Sequence, residues 1–240
     1  MILSLIKYNI SYYIKSAKYL PPVLFFGAFL AINYQTLPIG IWGNLHIISI
    51  AVFILSNWIG ASFINSEDKT QQYITRLHVK NETVYHLSKI ASIIIFLIPF
   101  YVIAILWPSI FGMFIRDILF SEILIYLAVL FLISLLGVSI GIFFNSHLFS
   151  AEMAILTHLL AIGVSVVPLN EIFEDNVFVV YSYYLLPPVN FLAHRLHSLD
   201  LNDEIFLIDQ NFLTFIAYAL GYAFILILLY NVIIQRKNKD

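Results

Sequence analysis

A Gly-x-Ser-x-Gly motif at 137–141 is the feature of the chain that most resembles part of an enzyme active site. In hydrolases this spacing exposes the serine on a sharp strand–turn–helix elbow. Here Ser139 lies within a long apolar segment, and no histidine in the last apolar segment (211–234) could act as its base. Glycines four residues apart on a membrane helix instead allow close helix packing. We therefore predict that Gly137 and Gly141 form a packing face.

Other polar residues have spacings that could bind a metal or a substrate. His194, His197 and Asp200 recur every three residues, but no third histidine or glutamate lies near them in the sequence, so a solvated outer helix is favoured over a metal site. Asn57 and His158 fall at membrane depth, where polar groups are costly and often functional. Each is interpreted as an interhelix hydrogen bond or, alternatively, as a substrate contact. The chain has no cysteine.

The composition defines the environment in which these residues must work. The chain is 61% hydrophobic and 11% charged, with a mean hydropathy of +0.93, whereas soluble domains carry about 25% charged residues. We predict an all-α integral membrane protein with one domain over 1–240. Because a helix needs about 20 residues to cross the bilayer, six segments qualify as spans: 21–37, 44–64, 88–107, 119–144, 151–169 and 211–234.

Basic residues are distributed unevenly along the 240 residues. Ten of the twelve fall in the N-terminal stretch, the loop near 65–89 and the C-terminal tail: Lys7, Lys15, Lys18, Lys69, Arg76, Lys80, Lys89, Arg236, Lys237 and Lys239. Cytoplasmic loops are enriched in Lys and Arg. With six spans, this bias predicts that both termini are cytoplasmic. The opposite side is predicted to be acidic, and no nucleic-acid partner is expected.

Two segments on the predicted cytoplasmic side are interpreted as surface helices. Within residues 1–19, lysines recur on one face of a helix and isoleucines on another, which predicts an interfacial helix ended by Pro21-Pro22. The alternative is that this segment extends the first span. The loop 65–87 contains an apolar stripe, Tyr73, Ile74 and Leu77, beside polar residues, which predicts a short amphipathic helix.

The largest segment on the predicted outer side is 170–210. Its apolar part, 177–193, is interrupted by Pro187-Pro188. A seventh span here would place the basic tail outside, so we predict a re-entrant segment that enters the outer leaflet and returns.

The sequence also indicates where energy for transport would come from. None of the nine glycines is followed by lysine, so no P-loop motif is present. The predicted spans hold almost no carboxylates that could relay protons or bind sodium. Any uphill transport would therefore need another polypeptide.

Together these elements resemble the membrane (permease) subunit of ABC-2-type exporters over nearly the whole chain. The inner loop matches the family order of acidic residue, threonine, apolar run, turn and lysine, with Lys69 and His78 as departures: Glu67, Thr70, Ile74, Leu77, Val79, Lys80 and Lys89. The outer signature is similar to Pro188-Val189-Asn190-Phe191 followed by Arg195.

The resemblance implies a permease in a bacterial cytoplasmic membrane that pairs with a second permease copy, identical or not, and with separate ABC ATPase subunits. ATP and magnesium would be bound by the ATPase, and this chain would bind no cofactor. The inner helix would transmit ATPase closure through Glu67, Asp68, Thr70, Gln71, Ile74, Arg76, Leu77 and His78. The re-entrant segment would include Pro187, Pro188, Asn190 and Arg195. The expected cargo is an amphipathic or antimicrobial peptide.

Two other classes of protein are compatible with the sequence. One is an intramembrane enzyme, which would act on a membrane substrate as a single purified chain. The other is a membrane sensor or scaffold that binds a partner without transport. Copurification with a P-loop ATPase separates both classes from an exporter.

Overall fold

The computed structural model describes residues 2–35, 37–79, 81–144, 150–166, 189 and 210–237. Apart from an isolated bridge between Ile39 and Phe114, the regular structure of these residues is helical, which confirms the all-α prediction. The helices are α1 (Ile2–Lys15), α2 (Leu20–Asn33), α3 (Ile41–Ile64), α4 (Lys69–Val79), α5 (Glu82–Ile110), α6 (Phe120–Phe143), α7 (Ala151–Val166) and α8 (Gln210–Lys237).

Four helices are long and apolar enough to cross a membrane: α3, α5, α6 and residues Phe212–Arg236 of α8. They correspond to the second, third, fourth and sixth predicted spans. The first and fifth predicted spans contain the shorter helices α2 and α7, with 14 and 16 residues. The predicted re-entrant segment, with Pro187, Pro188, Asn190 and Arg195, lies outside the described residues.

The first predicted span, 21–37, extends beyond the helix that forms there. α2 ends at Asn33, and the following chain turns toward the connection between α5 and α6. There the Ile39 amide donates to the Met113 carbonyl at 3.0 Å, and the Ile115 amide donates to the Ile39 carbonyl at 3.1 Å. Pro38 disfavours helical geometry at the residue before it, so the chain pairs as extended backbone instead.

The predicted N-terminal helix over 1–19 also ends earlier than expected. α1 ends at Lys15, and Ala17 adopts a positive φ of 55°. Pro21 and Pro22 do not end this helix. They lie in the first turn of α2, where a missing backbone N–H costs nothing because it would have no intrahelical acceptor.

The centre of the bundle is the contact between α3 and α6, whose apolar stretches consist mostly of buried residues, whereas most residues of the apolar stretch of α8 are not buried. Gly137 and Gly141 face α3 so closely that an added Cβ would overlap the Ser56 hydroxyl or the Asn57 carbonyl oxygen. On the other side of the contact, a Cβ on Gly60 would lie 3.2 Å from the Val138 carbonyl oxygen. Larger side chains at these positions would push the two helices apart.

This geometry predicts that Gly141→Ala destabilises the bundle. The methyl group would overlap the α3 backbone, so we expect a loss of about 1–3 kcal/mol in unfolding free energy, measured by unfolding in mild detergent. The control is Gly221→Ala in α8, where an added Cβ meets no heavy atom within 4 Å in the described part of the chain. Equal losses for both variants would contradict the close α3–α6 contact.

Candidate functional site

The candidate site is built around Glu67, a buried carboxylate in the connection between α3 and α4. Its Oε2 atom lies 2.7 Å from the Lys89 ammonium and accepts a hydrogen bond from the Tyr85 hydroxyl at 2.6 Å. Its Oε1 atom lies 3.1 Å from the hydroxyls of Tyr8 and Thr75, which both point a donor at it. Thr75 shares its single hydroxyl proton between Glu67 and the Gln71 carbonyl, which lies 2.9 Å away within α4. Glu67 and its four side-chain partners, together the Glu67 cluster, join α1, α4 and α5.

Local sequence explains how α5 presents two of these partners. Asn81 caps the helix by accepting a hydrogen bond from the Val84 amide at 3.2 Å. Tyr85 and Lys89 are four residues apart and therefore lie on the same helix face. The Lys89 ammonium also lies 4.7 Å from the centre of the Tyr85 ring, a cation–π distance.

The surroundings of Glu67 keep its carboxylate ionised. Burial by itself raises the pKa of a carboxyl group. At Glu67 the Lys89 ammonium and the hydroxyls of Tyr85 and Tyr8 outweigh that effect, so its pKa lies below the ordinary value. A buried ion pair whose remaining lone pairs accept hydrogen bonds avoids the large cost of an uncompensated charge. Removing either charge would leave the other unpaired and buried.

Polar and aromatic side chains attach α1 to the same region. The Tyr8 hydroxyl donates to Glu67 and accepts from the Gln71 amide at 3.1 Å, so it contacts α4 as well. Burial raises the pKa of Tyr8 above its ordinary value. The next residue, Asn9, is buried, and its side-chain amide donates to the hydroxyls of Ser88 and Ser92 in α5, each at 3.4 Å.

α4 has a buried face and an exposed face that carries large apolar side chains. Thr75 and Val79 face the bundle, whereas Tyr73, Ile74 and Leu77 are 59%, 43% and 58% exposed. These three residues are called the exposed stripe below. Large apolar side chains on a helix outside the candidate spans form a surface suited to a protein partner.

Of the residues predicted to couple to an ATPase, Glu67 alone is buried, while Gln71 and Arg76 are half-buried. Arg76 binds Glu82 at 3.3 Å and so ties the end of α4 to the start of α5. The remaining predicted residues are exposed: Asp68, Thr70, Ile74, Leu77 and His78. The structure therefore separates the predicted set into anchoring residues and surface residues.

Sequence reasoning did not place Tyr8, Thr75 and Tyr85 in the site. Tyr8 lies 59 residues from Glu67, and no local periodicity signals that contact. The four-residue spacing of Tyr85 and Lys89 was the available signal for a shared face on α5. The family pattern predicts Lys89 only as the lysine after the turn, at the start of the third predicted span (88–107).

The polar residues predicted within spans lie elsewhere. Asn57 is fully buried against α6, and neither amide atom has a hydrogen-bond partner in the described part of the chain. His158 is bonded within its own helix, through Nδ1 to the Ala154 carbonyl at 2.7 Å. Ser139 is buried, and its hydroxyl donates to the Leu136 carbonyl at 2.8 Å within α6. Ser139 therefore lies within a regular helix and not on an exposed elbow.

The opposite end of the bundle carries a third ion pair, Arg116 with Glu122. Arg116 donates two hydrogen bonds to the buried Glu122 carboxylate, at 2.8 and 2.5 Å, and Glu122 also accepts from the Leu119 amide at 2.9 Å. The pair fixes the start of α6 to the preceding loop. It contains no group from α1, α4 or α8.

No group of three or more metal-ligating side chains occurs among the described residues; His194, His197 and Asp200 lie outside them. Comparison with known proteins finds no matching family model, no matching curated protein and no matching solved structure.

The pKa of Glu67 predicts an acid-sensitive contribution to stability. In an unfolded chain this carboxyl titrates near 4.5, and its folded-state pKa is lower. The stabilisation is therefore fully present above about pH 4.5 and is lost as the pH falls through the folded-state value. Glu67→Gln is expected to be less stable than the natural protein at pH 7, and the difference should shrink below pH 4.5.

The measurement is thermal unfolding in detergent across pH 3 to 7. The matched control is Asp68→Asn, which removes a carboxylate from the exposed neighbouring position. A stability difference between Glu67→Gln and the natural protein that does not change with pH would contradict the ionised, hydrogen-bonded state of Glu67.

Proposed function

We propose that the chain is the membrane subunit of an ATP-driven exporter and that α4 is the element on which a separate ATPase acts. The observation that carries the proposal is the combination of two faces on α4. One face is fixed to the bundle by the Glu67 cluster, and the other presents the exposed stripe. A helix that only connected two spans would need no such anchoring.

The contacts of α4 provide a route for mechanical coupling. An ATPase groove that held the exposed stripe would move α4 as a rigid helix. The Glu67–Lys89 pair would transmit that movement to α5, and Tyr8 would transmit it to α1. Coupling between distant sites needs such a contiguous set of packed and hydrogen-bonded groups with more than one arrangement.

The proposed sidedness is supported by the charges near α4. Lys18 donates to the Asn65 carbonyl at 2.8 Å, and Gln235 near the end of α8 donates to Thr83 at the start of α5 at 3.0 Å. These contacts place the N-terminal and C-terminal segments at the same end of the bundle as α4. Most of the lysines and arginines of the chain lie in these two segments and in the loop that contains α4. The positive-inside rule favours a cytoplasmic location for this end, where an ATPase would meet it.

Six crossings remain part of the proposal. α2 is 14 residues long, which corresponds to about 21 Å of helix. This length falls short of a hydrocarbon core of about 30 Å, so this span would need locally thinned lipid or flanking residues to complete it. α7, Ala151–Val166, covers most of the fifth predicted span within the described residues. A pathway between two permease copies, with amphipathic peptides as cargo, is the mode of transport that the family resemblance implies.

The test is purification of the tagged chain from its own membranes with any associated ATPase. We expect a copurifying chain with a P-loop and ATPase activity. Leu77→Asp should reduce its recovery at least tenfold, because a carboxylate on the exposed stripe would have to be buried unpaired in the ATPase groove. The readouts are ATPase recovery and ATP-dependent peptide uptake by inside-out vesicles.

The matched control is Ile115→Asp, which places the same charge on an exposed isoleucine at the opposite end of the bundle. It should leave ATPase recovery unchanged. Recovery of the ATPase with Leu77→Asp at the natural level, in a variant that folds, would overturn the proposed role of α4. Peptide modification by the purified chain alone would instead favour an intramembrane enzyme.

A further inference from the structure

The outward side of α1 carries large exposed apolar side chains that do not pack within the bundle. Asn9 and Tyr13 face the protein, where the Tyr13 hydroxyl is 2.6 Å from the Ser62 hydroxyl. On the outward side, Leu3 is 81% exposed and Ile14 is 48% exposed. With Ile6 and Ile10 these side chains line one groove, and a contiguous apolar surface of this kind indicates a binding site.

Cationic residues lie directly beside this apolar surface. Lys7 and Lys15 are exposed, Ser11 lies between them, and α1 contains no acidic residue. A shallow groove on the outward side is lined by both kinds of side chain, including Ile6, Ile10, Lys7 and Lys15. An apolar strip next to lysines complements a phospholipid, whose acyl chains meet the isoleucines while its phosphate meets the ammonium groups.

The order of the faces around α1 allows it to hold protein and lipid at once. Successive residues rotate by about 100° around a helix, so the sector of Asn9 and Tyr13, the sector of Leu3 and Ile10, and the sector of Lys7 and Lys15 follow one another. In a single orientation of α1 about its axis, one side of the helix can therefore contact lipid while another side contacts the protein. Lipid that binds α1 in this orientation also favours the contacts that α1 makes with the protein.

We propose that α1 binds anionic phospholipid through Lys7, Lys15 and the adjacent isoleucines, and that this binding stabilises α4 through Tyr8. The Tyr8 hydroxyl is the connecting group because it bonds both Glu67 and Gln71. The consequence, that anionic lipid strengthens ATPase coupling, rests on the proposed function. Lipid binding and its effect on α4 do not.

The experiment is hydrogen–deuterium exchange of the full chain, without any ATPase, in vesicles of phosphatidylcholine alone or with 30% phosphatidylglycerol. Exchange in α1 reports lipid binding, and exchange in α4 reports transmission. We expect phosphatidylglycerol to slow exchange in α4 about fivefold, which is the effect of one net hydrogen bond on a local opening equilibrium.

Two variants separate the steps. The double variant Lys7→Gln/Lys15→Gln should lose the lipid effect in both helices, whereas its charge control, Arg236→Gln, should keep it. Tyr8→Phe should keep the effect in α1 and lose it in α4. Its control is Tyr12→Phe, whose ring lies 6.0 Å from that of Tyr8, and it should behave like the natural protein.

Each failure has a distinct meaning. Equal protection of α1 in charged and uncharged vesicles would overturn the lipid site and favour a second copy of the chain as its cover. Slower exchange in α1 without a change in α4 would overturn transmission through Tyr8. Because no ATPase is present, neither outcome depends on whether α4 is the site of ATPase action.

Discussion

The Glu67 carboxylate and the Lys89 ammonium lie 2.7 Å apart with almost no exposure to solvent, and the positions of three helices depend on this pair. Neither charge could remain buried alone, because an unpaired ion in such surroundings is strongly destabilising. Thr75 of α4 and Tyr8 of α1 occupy the other oxygen of the same carboxylate. The Glu67 carboxylate therefore helps to position both α4 and α1, together with the Arg76–Glu82 pair and the contacts of Asn9 and Tyr13.

The rest of the bundle supplies a fixed frame for this cluster. α3 and α6 pack through glycine contacts that leave no room for a side chain, and α5 is tied to α6 by the hydrogen bond from Tyr101 to Ser134. α5 has 29 residues, or about 44 Å of helix. It carries the Glu67 cluster near its beginning and leads to the Arg116–Glu122 pair beyond its end. α5 thus links the two ends of the bundle, with Pro99 and Pro108 inside the helix.

The sequence predicted the elements better than their contacts. Hydropathy located α3, α5, α6 and α8, and the stripe of Tyr73, Ile74 and Leu77 indicated α4, because these signals are local and periodic. The contact between Tyr8 and Glu67 spans 59 residues and leaves no such signal. The isoleucines of α1 suggested its membrane face, but its protein-facing side uses Asn9 and Tyr13. In a membrane the apolar side of a helix has lipid available, so polar side chains often make the protein contacts. α2 ends at Asn33, before its predicted limit, and the chain pairs as extended backbone at Ile39.

The central claim, that the Glu67–Lys89 pair holds this arrangement together, is tested most directly by a double-mutant cycle. The free energy of unfolding in mild detergent at pH 7 would be compared for Glu67→Gln, Lys89→Gln and the double variant. Each single change should cost about 3–5 kcal/mol, because it leaves one buried charge unpaired. The double variant leaves none, so its loss should be clearly smaller than the sum of the two. Strictly additive losses would show that the two charges do not depend on each other and would contradict the account.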